Sequence, residues 1–348
     1  MHPEVSIVIT AYNVEKYIER AVASALQQTF TNIEVIVVDD SSTDSTVEIV
    51  KRFKDHRLKL LVNERNLGTS ATRNRGNLAA SGRWIAVLDG DDWFAPERLE
   101  KLLPIACATN ADLIADDLHL IRDGEAAPWS TLIDESGEAI TTIRQIDPIY
   151  FVETDVFGQQ GLHLGLTKPL FRKDFLLKNQ IEYNVNSRVT EDFWLTLECL
   201  VRGAKFILVP EPYYFYRGRP DSIMHSPPLR RLQYDCDLTV SFIRQKELDQ
   251  KQPALAGALR QNLAIMQKNL AYYQVVDPLK HRQWLRSFIQ MLLHPYFFLH
   301  LATRLPEIVE RRVRYYLFGN KLAFYMLYFN RNKKRQKRMA ASSNDLVL

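Results

Sequence analysis

Hydrophobic periodicity changes repeatedly along the first hundred residues. The run VSIVIT (5–10) is continuous, apolar and rich in β-branched residues, which predicts a strand buried on both faces. Val14, Ile18, Ala21, Val22, Ala25 and Leu26 then recur at helical spacing and predict an amphipathic helix. IEVIVVDD (33–40) predicts a second buried strand. Ser45 and Glu48 follow with the spacing of a capping box, ahead of a helix carrying Val47, Ile49, Val50 and Phe53. LKLLV (58–62) predicts a third strand, and the polar loop NERNLGTSATRNRG leads into a short helix ending near Gly82. WIAVLD (84–89) predicts a fourth strand, a helix is expected from about Pro96 to Cys107, and DLIADD (112–117) fits a fifth strand.

Such alternation implies an α/β fold with a mainly parallel sheet flanked by helices. In these sheets ligands bind beyond the carboxyl ends of the strands. Here those ends are Thr10-Ala11-Tyr12-Asn13, Asp39-Asp40, the 63–76 loop and Asp89–Asp92. Neither a Gly-x-x-x-x-Gly-Lys-Ser/Thr loop nor a Gly-x-Gly-x-x-Gly turn is present, so a phosphorylated ligand would need a metal or arginines. Residues 118–165 show weak periodicity. TEDFWLTLECLVRG (190–203) predicts a helix with Phe193, Trp194, Leu197, Leu200 and Val201 on its apolar stripe and Gly203 at its end. Glu191 and Asp192 fall in its first turn, where the helix dipole favours negative charge. KFILVPEPYYFYRG (205–218) reads as a strand, a proline break and an aromatic strand; beyond Pro228 the pattern is mainly helical.

Asp89, Asp91 and Asp92 crowd three negative charges into four positions. Taken alone, Asp-x-Asp at a strand end fits two readings: a solvated acidic turn, or oxygen ligands for a hard divalent cation. Asp39-Asp40 is equally open, as a turn and helix cap or as a ligand contact.

Composition narrows the field. The 348 residues are 46% hydrophobic and 25% charged, as expected of a soluble globular protein with a sizeable core. Cys107, Cys199 and Cys236 are scattered, which suggests neither a disulfide framework nor a metal cluster and suits a reducing cytoplasm. The start lacks a signal-peptide pattern, and no uninterrupted apolar stretch of about 20 residues suggests a spanning helix. The net charge of +4 is uneven: residues 310–338 hold ten Lys or Arg against one acid, leaving the remainder mildly acidic. That distribution argues against a nucleic-acid binder.

Four segments in this order resemble the family 2 glycosyltransferases: VSIVITAYNVEKYIERAVASALQQT, EVIVVDDSSTDST, NLGTSATRNRGNLAASGRWIAVLDGDD and TEDFWL. The resemblance spans about residues 4–220. It implies a GT-A (Rossmann-like nucleotide-diphospho-sugar transferase) catalytic domain over residues 1–225, with a helical extension over 226–348. No Gln-x-x-Arg-Trp motif follows the Glu-Asp pair, which implies a non-processive enzyme adding one sugar per encounter. By this resemblance, Thr10, Ala11, Tyr12, Glu15, Asp39, Asp40 and Arg73 line the nucleotide-sugar site, although Thr72 replaces the family's alanine beside that arginine. Asp91 becomes the direct ligand of Mn²⁺ or Mg²⁺, with Asp89 beside the ribose or a metal-bound water. His225 is a candidate third ligand. Asp192 becomes the catalytic base of an inverting transfer, with Glu191 positioning the loop or the acceptor hydroxyl. Arg217 and Arg219 are placed to fold over a diphosphate, and Lys168 to face the acceptor.

The resemblance implies transfer of a single hexose, with glucose the plain expectation, from a UDP-sugar to a glycan or lipid-linked acceptor in exopolysaccharide or other surface-polysaccharide assembly. A non-catalytic nucleotide-binding scaffold and a sugar nucleotidyltransferase are the rivals. The aromatic and basic end of the chain predicts peripheral contact with an anionic membrane, at the cytoplasmic face of the inner membrane.

Overall fold

Strand β1 (Val5–Ala11) lies inside a mixed sheet, its side chains from Val5 to Ile9 all buried. The computed structural model describes residues 2–187, 189–219 and 228–294, together with a few single positions as far as 313. Helix α1 (Ile18–Leu26) follows, then β2 (Ile33–Asp39), α2 (Thr46–Arg52), β3 (Leu58–Val62), α3 (Thr69–Ala79) and β4 (Trp84–Asp89). Strands β3, β2, β1 and β4 are neighbours in that order and all parallel. The apolar runs of β1, β2 and β4 make this sheet because both of their faces are covered. Strand β3 is its half-exposed edge.

The other half of the sheet mixes directions. Two-residue β5 (Trp93–Phe94) precedes α4 (Arg98–Thr109) and the long β6 (Leu113–Arg122). Short elements follow: β7 (Ser130–Thr131), α5 (Leu132–Ser136), β8 (Arg144–Ile146) and α6 (Pro148–Glu153). Strand β9 (Leu170–Arg172) runs antiparallel between β4 and β6, so the fifth expected strand does not pair with the fourth. After α7 (Lys173–Asn179) and α8 (Glu191–Val201), β10 (Phe206–Gly218) pairs in parallel with β6. The expected proline break is instead a bulge: register shifts at Val209/Pro212 and Pro212/Tyr214 keep one strand continuous.

Two helix starts differ from the sequence expectation. Helix α1 begins at Ile18 rather than Val14, because the Glu15 N–H is taken by Asp44 Oδ2 at 3.0 Å. At α2 the expected capping box does not form. The Ser45 side chain makes no cap bond, and Asp44 Oδ1 accepts from both Thr46 N and Thr46 Oγ1.

The chain separates into two compact units. The first comprises residues 2–134, Glu138–Thr154 and the described residues from Leu162 to 219, and holds the sheet. The second comprises Glu135–Gly137, Asp155–Gly161 and the described residues from 228 onward. It is helical, with α9 (Pro228–Gln245), α10 (Leu248–Lys251), α11 (Pro253–Lys280) and α12 (Trp284–Leu293). Leu232, Cys236 and Leu270 form one buried cluster, and Tyr272, Val275 and Phe297 another. No helix among the described residues is long and apolar enough to cross a membrane. His225 and nearly all of the basic 310–338 segment lie outside the described residues.

Candidate active site

The end of β4 is held by two cations. Arg73, on the inner face of α3, is 1% exposed, and its Nη2 donates to Asp89 Oδ1 at 2.6 Å. Its Nη1 donates to Asp192 Oδ1 at 2.5 Å and Glu191 Oε1 at 3.2 Å. Lys168 Nζ, also buried, lies 3.0 Å from Asp89 Oδ2 and 2.5 Å from Asp192 Oδ2. The aspartate after the fourth strand and the Glu-Asp pair opening α8 therefore meet in one cluster. Burial alone would raise the Asp89 carboxyl, but Lys168 and Arg73 overcome it and hold it well below the usual range. Burial likewise disfavours charge on Lys168 and Arg73, and Asp192 and Asp89 more than reverse this, keeping both cationic.

Glu191 behaves differently. Burial pushes its carboxyl up, with Arg73 offsetting part of the effect and Asp192 adding to it. Its Oε2 is buried and has no hydrogen-bond partner among the described residues. The Tyr183 phenol oxygen is also buried without a partner among those residues, and Arg73 lies 5.3 Å from the Tyr183 ring centre. Sequence reasoning missed Tyr183, because a lone aromatic ahead of a helix is indistinguishable from packing.

Asp91 and Asp92 have separate partners. Arg219 Nε forms an ion pair with Asp91 Oδ2 at 2.7 Å, yet burial raises the Asp91 carboxyl, with Asp89 adding to the effect. Asp92 is 2% exposed and is held by neutral donors, Tyr214 Oη at 2.7 Å and the Arg217 N–H at 2.8 Å. Burial, with Asp91 and Asp89 close by, pushes the Asp92 carboxyl far upward. The Arg217 side chain donates to the Asp91 carbonyl and to Asp123 Oδ1. Trp93 is packing: its ring stacks on Phe215 at 4.8 Å, under Arg20 at 3.4 Å. Gly90 admits no side chain, since a Cβ there would sit 2.8 Å from the Thr10 carbonyl oxygen.

Further contacts gather at the ends of β1 and β2. Asn13 Oδ1 accepts from Thr43 N, Ser42 Oγ accepts from Asn13 N, and Glu15 Oε2 accepts from Ser45 N, which laces the two strand-end loops together. Asp39 is buried and accepts from Ser42 N and Oγ. Asp40, 3% exposed, accepts from Asn63 Nδ2, Leu67 N and Gly68 N, which pins the start of α3. Gly68 holds φ +87°, a left-handed conformation that glycine adopts without steric cost. Tyr12 is 48% exposed, Thr10 is half-buried and Ala11 is buried beside it. Arg75 donates to the Val62 carbonyl and to Asn63 Oδ1.

A buried pair outside the expected set positions Lys168. Arg98 and Asp116 are both 0% exposed and pair at 2.7 Å. Arg98 Nη2 also donates to the Lys168 carbonyl, and Asp116 Oδ2 accepts from Tyr213 N at the β10 bulge.

The chain is similar to known glycosyltransferases. The sequence profile of Glycosyl transferase family 2 matches residues 6–175. The succinoglycan biosynthesis protein ExoO of Rhizobium meliloti is 31% identical over 317 residues, covering 89% of this chain and 88% of its own length. The chain belongs to glycosyl transferase family 2. The transferase fold also matches that of S. aureus TarS 1-349 in complex with UDP-GlcNAc, with a TM-score of 0.57 at 20% identity over 82% of this chain and 89% of that one. A mannosyltransferase from Pyrobaculum calidifontis, solved with GDP-Man and Mn²⁺, aligns at a TM-score of 0.50 and 17% identity over 84% and 86% of the two chains. These likenesses identify the sheet and its helices as the GT-A fold.

The carboxyl edge of the transferase sheet offers oxygen donors, the chemistry that hard divalent cations select. No cluster of three metal-binding side chains exists among the described residues. Asp91 supplies a part-buried carboxylate there, paired with Arg219 at 2.7 Å.

Proposed function

We propose that this transferase moves a single hexose, glucose in the simplest case, with inversion from a UDP-sugar to a glycan or lipid-linked acceptor during exopolysaccharide or related surface-polysaccharide assembly. The observation that supports the reading is the shared cation pair of Asp89 and Asp192, which joins the carboxylate at the end of β4 to one opening α8. The succinoglycan role of a relative and the UDP-GlcNAc of a structural neighbour support the pathway class and the donor class.

Thr10, Ala11, Tyr12, Glu15, Asp39 and Asp40 serve as the nucleoside wall, and Tyr12 brings the exposed ring. Arg73 and Asp89 hold the diphosphate-sugar side. Mn²⁺ or Mg²⁺, held by Asp91 with Asp89 nearby, would neutralise charge on the leaving diphosphate when bound. Asp192 takes the proton from the acceptor hydroxyl, and the unpartnered Glu191 Oε2 orients that hydroxyl. Lys168 and Arg73 keep Asp192 in place until the acceptor arrives. The domain division at residue 225 and peripheral membrane contact through 310–338, at the cytoplasmic face, belong to the same reading.

The test is thermal stabilisation by UDP with Mn²⁺, followed by UDP release from a panel of UDP-sugars supplied with native membrane lipids or glycans. Release that depends on acceptor and is lost in Asp192→Asn is expected. Stabilisation by UDP that is identical in Asp192→Asn, with no transfer to any acceptor, would identify a scaffold instead.

A further inference from the structure

Helix α12 is amphipathic in the wrong sense for a soluble protein. Ser287 is fully buried and Met291 packs on the Tyr272–Val275–Phe297 cluster, so this side faces inward. Trp284, Leu285, Phe288, Ile289, Leu292 and Leu293 face outward, with Trp284 66%, Phe288 58% and Leu292 67% exposed. At about 100° per residue these six sweep roughly half of the helix circumference. Scattered exposed apolar residues are ordinary, but a continuous face of large ones marks an interaction surface.

Charge identifies the occupant. From Pro278 to Pro306 the sequence contains Lys280, Arg282, Arg286 and Arg304 and no Asp or Glu. Lys280, Arg282 and Arg286 are exposed at the start of the apolar face. A second copy of this segment would bring no acid to meet these cations. A layer of anionic lipid headgroups instead offers opposite charge above and acyl chains below, the setting of an in-plane amphipathic helix. Trp at the boundary suits such an interface, since its indole is apolar in body and polar at the N–H.

We propose that the outward face of α12 is a docking surface for an anionic lipid bilayer, with Trp284, Phe288 and Leu292 inserted between headgroups and Arg282 and Arg286 pairing with lipid phosphates. This contact is separate from the basic 310–338 segment and independent of which sugar the enzyme transfers.

The experiment uses the full chain with vesicles of phosphatidylcholine, with or without phosphatidylglycerol, whose acyl chains carry bromine. Bromine quenches an indole only at close range, so insertion of Trp284 dims its share of the emission. Quenching is expected with phosphatidylglycerol vesicles and is expected to be lost in Trp284→Phe. Phe288→Glu combined with Leu292→Glu is expected to weaken vesicle partition at least about tenfold, with unchanged circular dichroism. Equal quenching of the wild type and Trp284→Phe would overturn the proposal. So would equal partition to vesicles with and without phosphatidylglycerol, or a wild-type dimer in gel filtration that Phe288→Glu/Leu292→Glu dissociates. Donor turnover is not the readout, so failure here leaves the transferase reading standing.

Discussion

Asp89 and Asp192 share the same two cations: Arg73 and Lys168 each bond to both carboxylates. One acid ends a strand and the other opens a helix, so neither is fixed near the other by local structure. The buried cations set their separation, and a change to either cation should act on both acids together.

Arg73→Met leaves Asp89, Glu191 and Asp192 facing one another with only Lys168 to balance them. Removing one partner from a buried ion pair costs about 3–5 kcal/mol. Urea denaturation should show a loss of that order, and Arg73→Lys should recover only part of it, because one ammonium lacks the guanidinium fork.

Asp192→Asn keeps the shape of the side chain and removes the proton acceptor. The turnover number should fall by roughly 10² to 10⁴ while UDP affinity stays within about twofold. Steady-state kinetics alongside UDP titration calorimetry checks both parts. A proportional loss of UDP affinity would move Asp192 into donor binding.

Glu34 gives the sheet a pH-dependent strut. It is buried, and although burial raises its carboxyl, donors from Lys59, Ser6 and Ser81 bring it down to about 2 from 4.5. A lowered folded-state value means the stabilisation is fully present above the unfolded value and disappears as pH falls from 4.5 through about 2. Glu34→Gln should cost about 2–3 kcal/mol at neutral pH, and the gap from wild type should shrink as the solution is acidified through that window. Denaturant titrations across that range measure it.

Gly90→Ala would press a methyl group to 2.8 Å from the Thr10 carbonyl oxygen and 3.1 Å from Val14 Cγ2. Backbone must shift to admit it, at about 1–3 kcal/mol. Because Thr10 and Asp89 are register partners, melting temperature and UDP affinity should drop together. A stable variant with normal UDP affinity would show that the strand ends can separate without harm.

Asp91→Asn should abolish the Mn²⁺ dependence of UDP stabilisation and give up the ion pair with Arg219. Thermal melts with and without Mn²⁺ test it.

Strands β1, β2 and β4 could be read directly from the sequence because burial on both faces makes each a continuous apolar run. Strands β5, β7, β8 and β9 could not, since two or three residues carry no period. Pro210 and Pro212 look like a break locally, and only pairing with β6 shows that a bulge absorbs them. The same contrast holds in the site. Asp89, Arg73 and Asp192 stand in motif-bearing segments, whereas Arg98 matters through the carbonyl of Lys168, a contact that no local pattern encodes. The Ser45–Glu48 spacing misled because Asp44 competes for the same helix start.

The stitching of Asn13 and Glu15 to Ser42, Thr43 and Ser45 has a consequence for anyone building chimaeras from this enzyme. A transplanted 10–17 loop would arrive without its matching acceptors and donors in 40–46, and either segment alone would leave loose threads. Recombination that carries both loops as a single cassette should preserve these bonds, and with them the proposed nucleoside wall.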